Sequence, residues 1–134
     1  VDVHRYKNTT SCIDKLRNKG YKIIATTPHD DSVILSDFQI EEKVALFFGT
    51  ERDGLSAEVL KEADGFLKIP MKGFTESLNI SVAAAIILQH VSEKLTKTNL
   101  LWHLTETEKL EKRLEWTKKS IKSIDMILER YLNE

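Results

Sequence analysis

Three short β-prone runs, each cut off by a turn built on Gly or Pro, constrain this chain most. Tyr21–Thr26 (YKIIAT) ends ahead of Pro28 and the Asp30-Asp31 pair; Val44–Phe48 (VALFF) runs straight into Gly49; Gly65–Ile69 (GFLKI) stops at Pro70. Val44–Phe48 is apolar at every position, which fits a parallel strand covered on both faces. Helical stretches lie around these runs. Thr9-Thr10-Ser11 can cap a helix reaching about Lys19, where Gly20 is a good stop. Ser56 can cap a short helix through about Ala63, and Ile80 to about Leu95 forms a helix with Ser81, Ala83, Ala84 and Ala85 along it. The order helix, strand, strand, helix, strand, helix predicts an α/β fold, a mostly parallel sheet flanked by helices.

A chain of 134 residues suffices for one compact domain with one core. Apolar residues make up 41% and fall in periodic runs, which excludes a disordered chain. A net charge of −1 excludes a domain that is basic throughout, and leaves nucleic-acid binding to local patches. Cys12 is the single cysteine, so an intrachain disulfide is excluded and a reducing cytoplasm is the expected setting. Its place on the first helix predicts a buried structural thiol. No apolar run approaches membrane-spanning length, and His4, His29, His90 and His103 lack metal-ligand spacing, so neither membrane nor metal is expected.

Three strands make a thin sheet, and the chain opens Val1-Asp2-Val3-His4 without a Met. Both features predict that the N-terminal part of the domain is absent from this sequence. Thr96-Lys97-Thr98-Asn99 reads as a linker, dividing the chain into 1–96 and a C-terminal helical extension, 97–134. Thr105 and Glu108 have capping-box spacing. Leu110, Leu114, Thr117, Ile121, Ile124, Leu128 and Tyr131 then alternate spacings of four and three, predicting one helix with an a/d stripe. That stripe fits a dimerisation or RNA-binding arm, and equally an amphipathic helix packed on its own domain. Trp116 reads as a core or interface residue, and Lys118, Lys119 and Lys122 as a solvated basic cluster.

Two Gly-bearing loops carry the chemistry. Phe48-Gly49-Thr50-Glu51-Arg52-Asp53-Gly54-Leu55-Ser56 follows a buried strand and precedes a helix. Glycines there let the backbone approach a ligand and present N–H groups. No Lys-Ser/Thr pair follows the second Gly, so this is not a P-loop. Ile69-Pro70-Met71-Lys72-Gly73-Phe74-Thr75-Glu76-Ser77-Leu78-Asn79-Ile80-Ser81 runs from a strand end to a helix start, with Ser77 or Asn79 as the simple N-cap. If the strands are parallel, both loops leave at their carboxyl ends, where open α/β sheets bind ligands.

Together, G-T-E-R-D-G-L-S and I-P-M-x-G-x-x-E-S-L-N-I-S-V-A-A-A closely resemble the second and third signature motifs of the TrmH (SpoU) family, in the SPOUT superfamily of RNA 2′-O-ribose methyltransferases. Ile23-Ile24-Ala25-Thr26 resembles the strand and turn that open the family's cofactor pocket. Trp102-His103-Leu104-Thr105-Glu106 resembles the start of the C-terminal extension in the tRNA guanosine-18 enzymes. The resemblance implies a C-terminal trefoil knot, an exception to unknotted connections. It implies methyl transfer from S-adenosylmethionine to a ribose 2′-hydroxyl of RNA, with tRNA as the expected substrate, ribosomal RNA as the alternative, and a non-catalytic RNA-binding or dimerising module as another. Thr26, Gly49, Ile69, Met71, Ser77 and Leu78 would then form the cofactor pocket. Glu51 would brace the pocket loop or the dimer, and Asn79 would position the cofactor or a neighbouring subunit's Arg. The helix from Ile80 would form a homodimer interface. The family's catalytic Arg belongs to an upstream motif without a match here; Arg5 and Arg17 stand in no comparable context, so this chain alone is expected to bind cofactor without catalysing.

Overall fold

The computed structural model describes residues 2–28, 31–74 and 77–133. They divide into two compact units, one up to Leu100 and one from Leu101 on. The first contains α1 (Thr9–Arg17), β1 (Lys22–Thr26), β2 (Val33–Ile34), β3 (Val44–Phe47), α2 (Ala57–Glu62), β4 (Gly65–Lys68) and α3 (Ile80–Thr96).

The sheet runs β2-β4-β1-β3 with every pair parallel, as the strand and helix order predicts. Ile24 sits between Leu46 of β3 and Gly65 of β4. The short edge strand β2 was not legible in the sequence: it holds two residues, both exposed, too few for any periodicity. It makes the sheet four-stranded, where three strands were expected.

Successive strand residues face opposite sides. Ile24 joins Leu35, Phe38, Ile40, Leu67, Ile87 and Val91 in one buried cluster, so α3 docks on that face through two residues one turn apart. Lys94 pins the preceding loop to α3 by donating to the carbonyls of Ser36 (2.6 Å) and Phe38 (2.7 Å). Helices α1 and α2 pack on β1 and on each other, with Ile13, Ile23 and Val59 buried. Arg17 clamps this side. Its guanidinium donates to the Glu62 carboxylate (2.8 Å) and the Glu62 carbonyl (2.7 Å) and lies 3.5 Å from Asp64. Asp64 in turn accepts from the Ile23 amide at 2.7 Å.

The N-cap of α1 is Asn8, one residue before the expected Thr9–Ser11 run: its side-chain oxygen accepts from the Ser11 amide at 2.9 Å. Its backbone is extended, as a cap requires, while the hydroxyl residues lie inside the helix. Cys12 is half-buried, not buried, because it lies beside a surface cavity lined by Tyr6, Phe47 and Leu55.

The second unit holds α4 (Glu106–Ser120) and α5 (Ile124–Leu132). Thr105 and Glu108 form the expected capping box. The single striped helix is corrected to two. Leu110, Leu114 and Thr117 lie on α4, Ile121 is its extended C-cap, and Ile124, Leu128 and Tyr131 lie on α5. The break falls at Ser120-Ile121-Lys122-Ser123, where Ser and β-branched Ile favour helix weakly. Ser120 bonds back to the Thr117 carbonyl (3.0 Å), and Ser123 adopts a left-handed φ of 61°.

Candidate functional site

Because the strands are parallel, β1, β3 and β4 end on one side of the sheet, and the turns that follow them meet there. They enclose a cavity of about 260 Å³ together with the first turns of α3. Thr26, Gly49, Ile69, Met71, Ser77 and Leu78 all line it, and so does Glu51. Thr75 and Glu76 of the third turn lie outside the described residues.

Each turn has a local cause. Thr26 closes β1 by donating its hydroxyl to the Phe47 carbonyl at 2.8 Å, tying the ends of β1 and β3 together. The loop after β3 doubles back as Thr50 and Gly54 exchange backbone hydrogen bonds of 2.9 and 3.0 Å. Gly54 turns the chain with a φ of 68°. Gly49 has no room for a side chain: a Cβ there would stand 2.2 Å from the Gly54 carbonyl carbon and 2.4 Å from the Leu55 nitrogen. The Thr50 hydroxyl accepts from the Asp53 amide at 3.0 Å, completing the hairpin.

Asn79 caps α3, its side-chain oxygen accepting from the Ser81 amide at 2.9 Å. It is not a wall residue of the cavity; its amide instead donates to Glu51 Oε1 at 2.5 Å, joining the second loop to the third. Ser77 takes no part in the cap. Leu67, Ile80, Ala83 and Ile87, none of them expected at the pocket from sequence, complete the apolar wall. Ile80, Ala83 and Ile87 stand one and two turns apart on α3, a helical spacing that marks one face once the fold is known. Among the described lining residues, the charged side chains are Glu51 and Lys68. Arg52 projects from the loop tip, its side chain 92% exposed. The arrangement suits a ligand with a flat apolar part and polar edges read by main-chain groups.

Residues 1–89 match the sequence profile of the SpoU rRNA Methylase family. The chain belongs to this SpoU family. Its similarity extends beyond the profile: it is 43% identical over 95% of its length to the tRNA (guanosine(18)-2'-O)-methyltransferase of Borreliella burgdorferi, of which it spans 58%. A solved A. aeolicus TrmH/SpoU tRNA modifying enzyme superposes with a TM-score of 0.75 at 29% identity, covering 87% of this SpoU chain and 61% of that one. An AdoMet-bound rRNA methyltransferase from Sinorhizobium meliloti superposes with a TM-score of 0.60 at 31% identity, covering 66% of this chain and 34% of that one. Among the described residues, no group of three or more His, Cys, Asp or Glu could hold a metal ion, and no helix is long and apolar enough to cross a membrane.

Proposed function

We propose that this chain is the cofactor-binding part of a cytoplasmic tRNA ribose 2′-O-methyltransferase, with S-adenosylmethionine held in the cavity beyond β1, β3 and β4. The observation that carries this reading is the convergence of the turns at Thr26, Gly49 and Leu78 on one cavity. Leu67, Ile69, Leu78 and Ile87 offer apolar walls to an adenine ring, and the turn amides and carbonyls offer partners to its polar edge. The bound cofactor supplies an electrophilic methyl group. The chain's part is alignment, which an in-line displacement demands above all. Thr26, Gly49, Ile69, Met71, Ser77 and Leu78 enclose the ligand. Glu51 braces the Gly49 loop, and Asn79 holds Glu51 in place while starting α3. Residues 1–96 form the methyltransferase domain, threaded as a trefoil knot, and 97–134 its extension.

A neutral ribose hydroxyl needs a base or an electrostatic partner. Among the described residues no Arg lines the cavity, and Arg17 is engaged with Glu62 and Asp64. In this reading the hydroxyl's partner is an Arg of a neighbouring subunit, acting across a homodimer. Val82, Ala85 and Ile86, exposed on one side of α3, supply the apolar face of that dimer. The same lack of Arg favours a second reading, a non-catalytic RNA-binding module that keeps the pocket. A ribosomal RNA acceptor draws support from the description of the family itself.

Calorimetry with S-adenosylhomocysteine and with ATP tests the cavity: the first binds and the second does not. Equal binding of both makes this a generic nucleotide site. Methyl incorporation into tRNA and rRNA transcripts then ranks the acceptors, and a 2′-deoxy target must block it.

A further inference from the structure

Gly73 turns the loop after β4 with a φ of 94°, and a Cβ there would meet nothing within 4 Å, so the chain bends through open space. Phe74 follows it and is 108% exposed. The ring gains none of the stabilisation that burial gives a Phe, so it holds no part of the fold together. Its place is specific. Met71 and Ser77, three residues to either side, both line the cavity. Three residues span at most about 11 Å, so Phe74 stands beside the cavity rim. Lys72, just before Gly73, is exposed as well. On the loop that carries Gly49, the Arg52 side chain is 92% exposed and lies 3.7 Å from Asp53. Such an exposed pair contributes little, so a phosphate can replace the carboxylate. Glu51 of the same loop is bound to Asn79.

We propose that Phe74 stacks on an unpaired base of the acceptor RNA at the cavity rim, with Lys72 and Arg52 meeting the neighbouring phosphates. The inference rests on the reading of the chain as part of an RNA methyltransferase and names what holds the acceptor at that site. A nucleotide whose 2′-hydroxyl enters the cavity brings its own base, or the next one along the strand, to the rim. An exposed ring suits such a base, because stacking needs only a π face while cations beside it hold the backbone. A protein partner fits less well: a protein interface has an apolar core, and here a single ring is accompanied by a cation on each loop.

The test uses the full chain saturated with S-adenosylhomocysteine and a short single-stranded RNA carrying aminopurine, whose fluorescence falls when the base stacks. The unaltered chain quenches the probe. Phe74→Ala weakens binding about tenfold and abolishes the quenching; Phe74→Tyr retains both, and Phe74→Leu, apolar but without a ring, behaves as the Ala variant does. Lys72→Gln and Arg52→Gln each lower the slope of log affinity against log salt by about 0.7 and leave the quenching in place. S-adenosylhomocysteine affinity and the urea midpoint are the same in all variants. Absent quenching by the unaltered chain, or RNA affinity unchanged in Phe74→Ala, overturns this inference alone if S-adenosylhomocysteine still binds. Weaker S-adenosylhomocysteine binding in Phe74→Ala assigns the ring to the cofactor and overturns the inference too, as does self-association that Phe74→Ala abolishes. Failure of the unaltered chain to bind S-adenosylhomocysteine overturns the cavity reading and takes the inference with it.

Discussion

The Asn79 side chain donates to Glu51 Oε1 at 2.5 Å while its own oxygen caps α3, so one residue fastens two cavity loops to a helix start. The two tasks can be separated. Asn79→Ser keeps a cap and loses the link to Glu51; Asn79→Ala loses both, at a cap cost of about 1 kcal/mol. Asn79→Asp keeps the cap but sets two carboxylates against each other. We expect S-adenosylhomocysteine affinity to fall in the order Asn79, Ser, Asp at neutral pH, with the Asp variant recovering as acid neutralises the pair. Calorimetry at several pH values checks the order; equal affinity in all three would mean that the link does not shape the cavity.

Gly49 and Gly54 need to be glycine for different reasons, and Ala at each separates them. At Gly49 the added Cβ meets backbone atoms at 2.2 to 2.6 Å, so the hairpin must open. At Gly54 nothing lies within 4 Å, and only the left-handed φ is penalised. Gly54→Ala should cost about 1–2 kcal/mol with ligand affinity largely kept. Gly49→Ala should cost about 1–3 kcal/mol and lose ligand affinity at least about tenfold. Urea unfolding and calorimetry on both variants give the comparison.

Much of this site was legible because it depends on strand ends and small residues, which announce themselves in sequence. Val44–Phe48 shows as a strand by being apolar throughout, and Gly49 marks the loop after it; the expected cover on both faces is corrected, since among the described residues Val44–Phe47 is an edge strand, half-buried at every position. The α3 wall was harder to see, since Ile80, Ala83 and Ile87 look like any helix face until the sheet they cover is known. β2 is too short for a pattern. In the C-terminal unit the heptad spacing runs unbroken through Ile121, yet the backbone breaks there: side-chain periodicity records which residues could share a seam, not whether weak helix formers hold the turn between them.

Arg17 is a structural clamp with no place at the cavity. Arg17→Ala should lower stability by about 1 kcal/mol, the scale of partly exposed pairs, because it frees α1 from α2 and Asp64. Arg17→Lys should recover little, since one ammonium cannot reach both Glu62 oxygens in the same geometry. S-adenosylhomocysteine affinity should be unchanged; a large drop would place Arg17 in the ligand's surroundings.

The second unit should respond to acid through Glu115. Hydrogen bonds from Lys112 and then Lys119 hold its carboxyl down from the ordinary 4.5 to about 2. A depressed carboxylate contributes stability that is fully present above its unfolded value and is lost as pH falls through its folded value. Helix content of α4, followed by circular dichroism, should therefore decline between about pH 4.5 and 2. Glu115→Gln should flatten that decline and start from lower helicity at pH 7.

Leu67 and Ile87 are members of the buried cluster and also cavity wall. Occupancy and unfolding are consequently one equilibrium with two handles. A ligand at a hundred times its dissociation constant would raise the unfolding free energy by about 2.7 kcal/mol, and the melting temperature would climb with concentration. Conversely, trimming Ile87 to Ala, which loosens the cluster by about 2–5 kcal/mol, would weaken ligand retention without removing a single hydrogen bond to it.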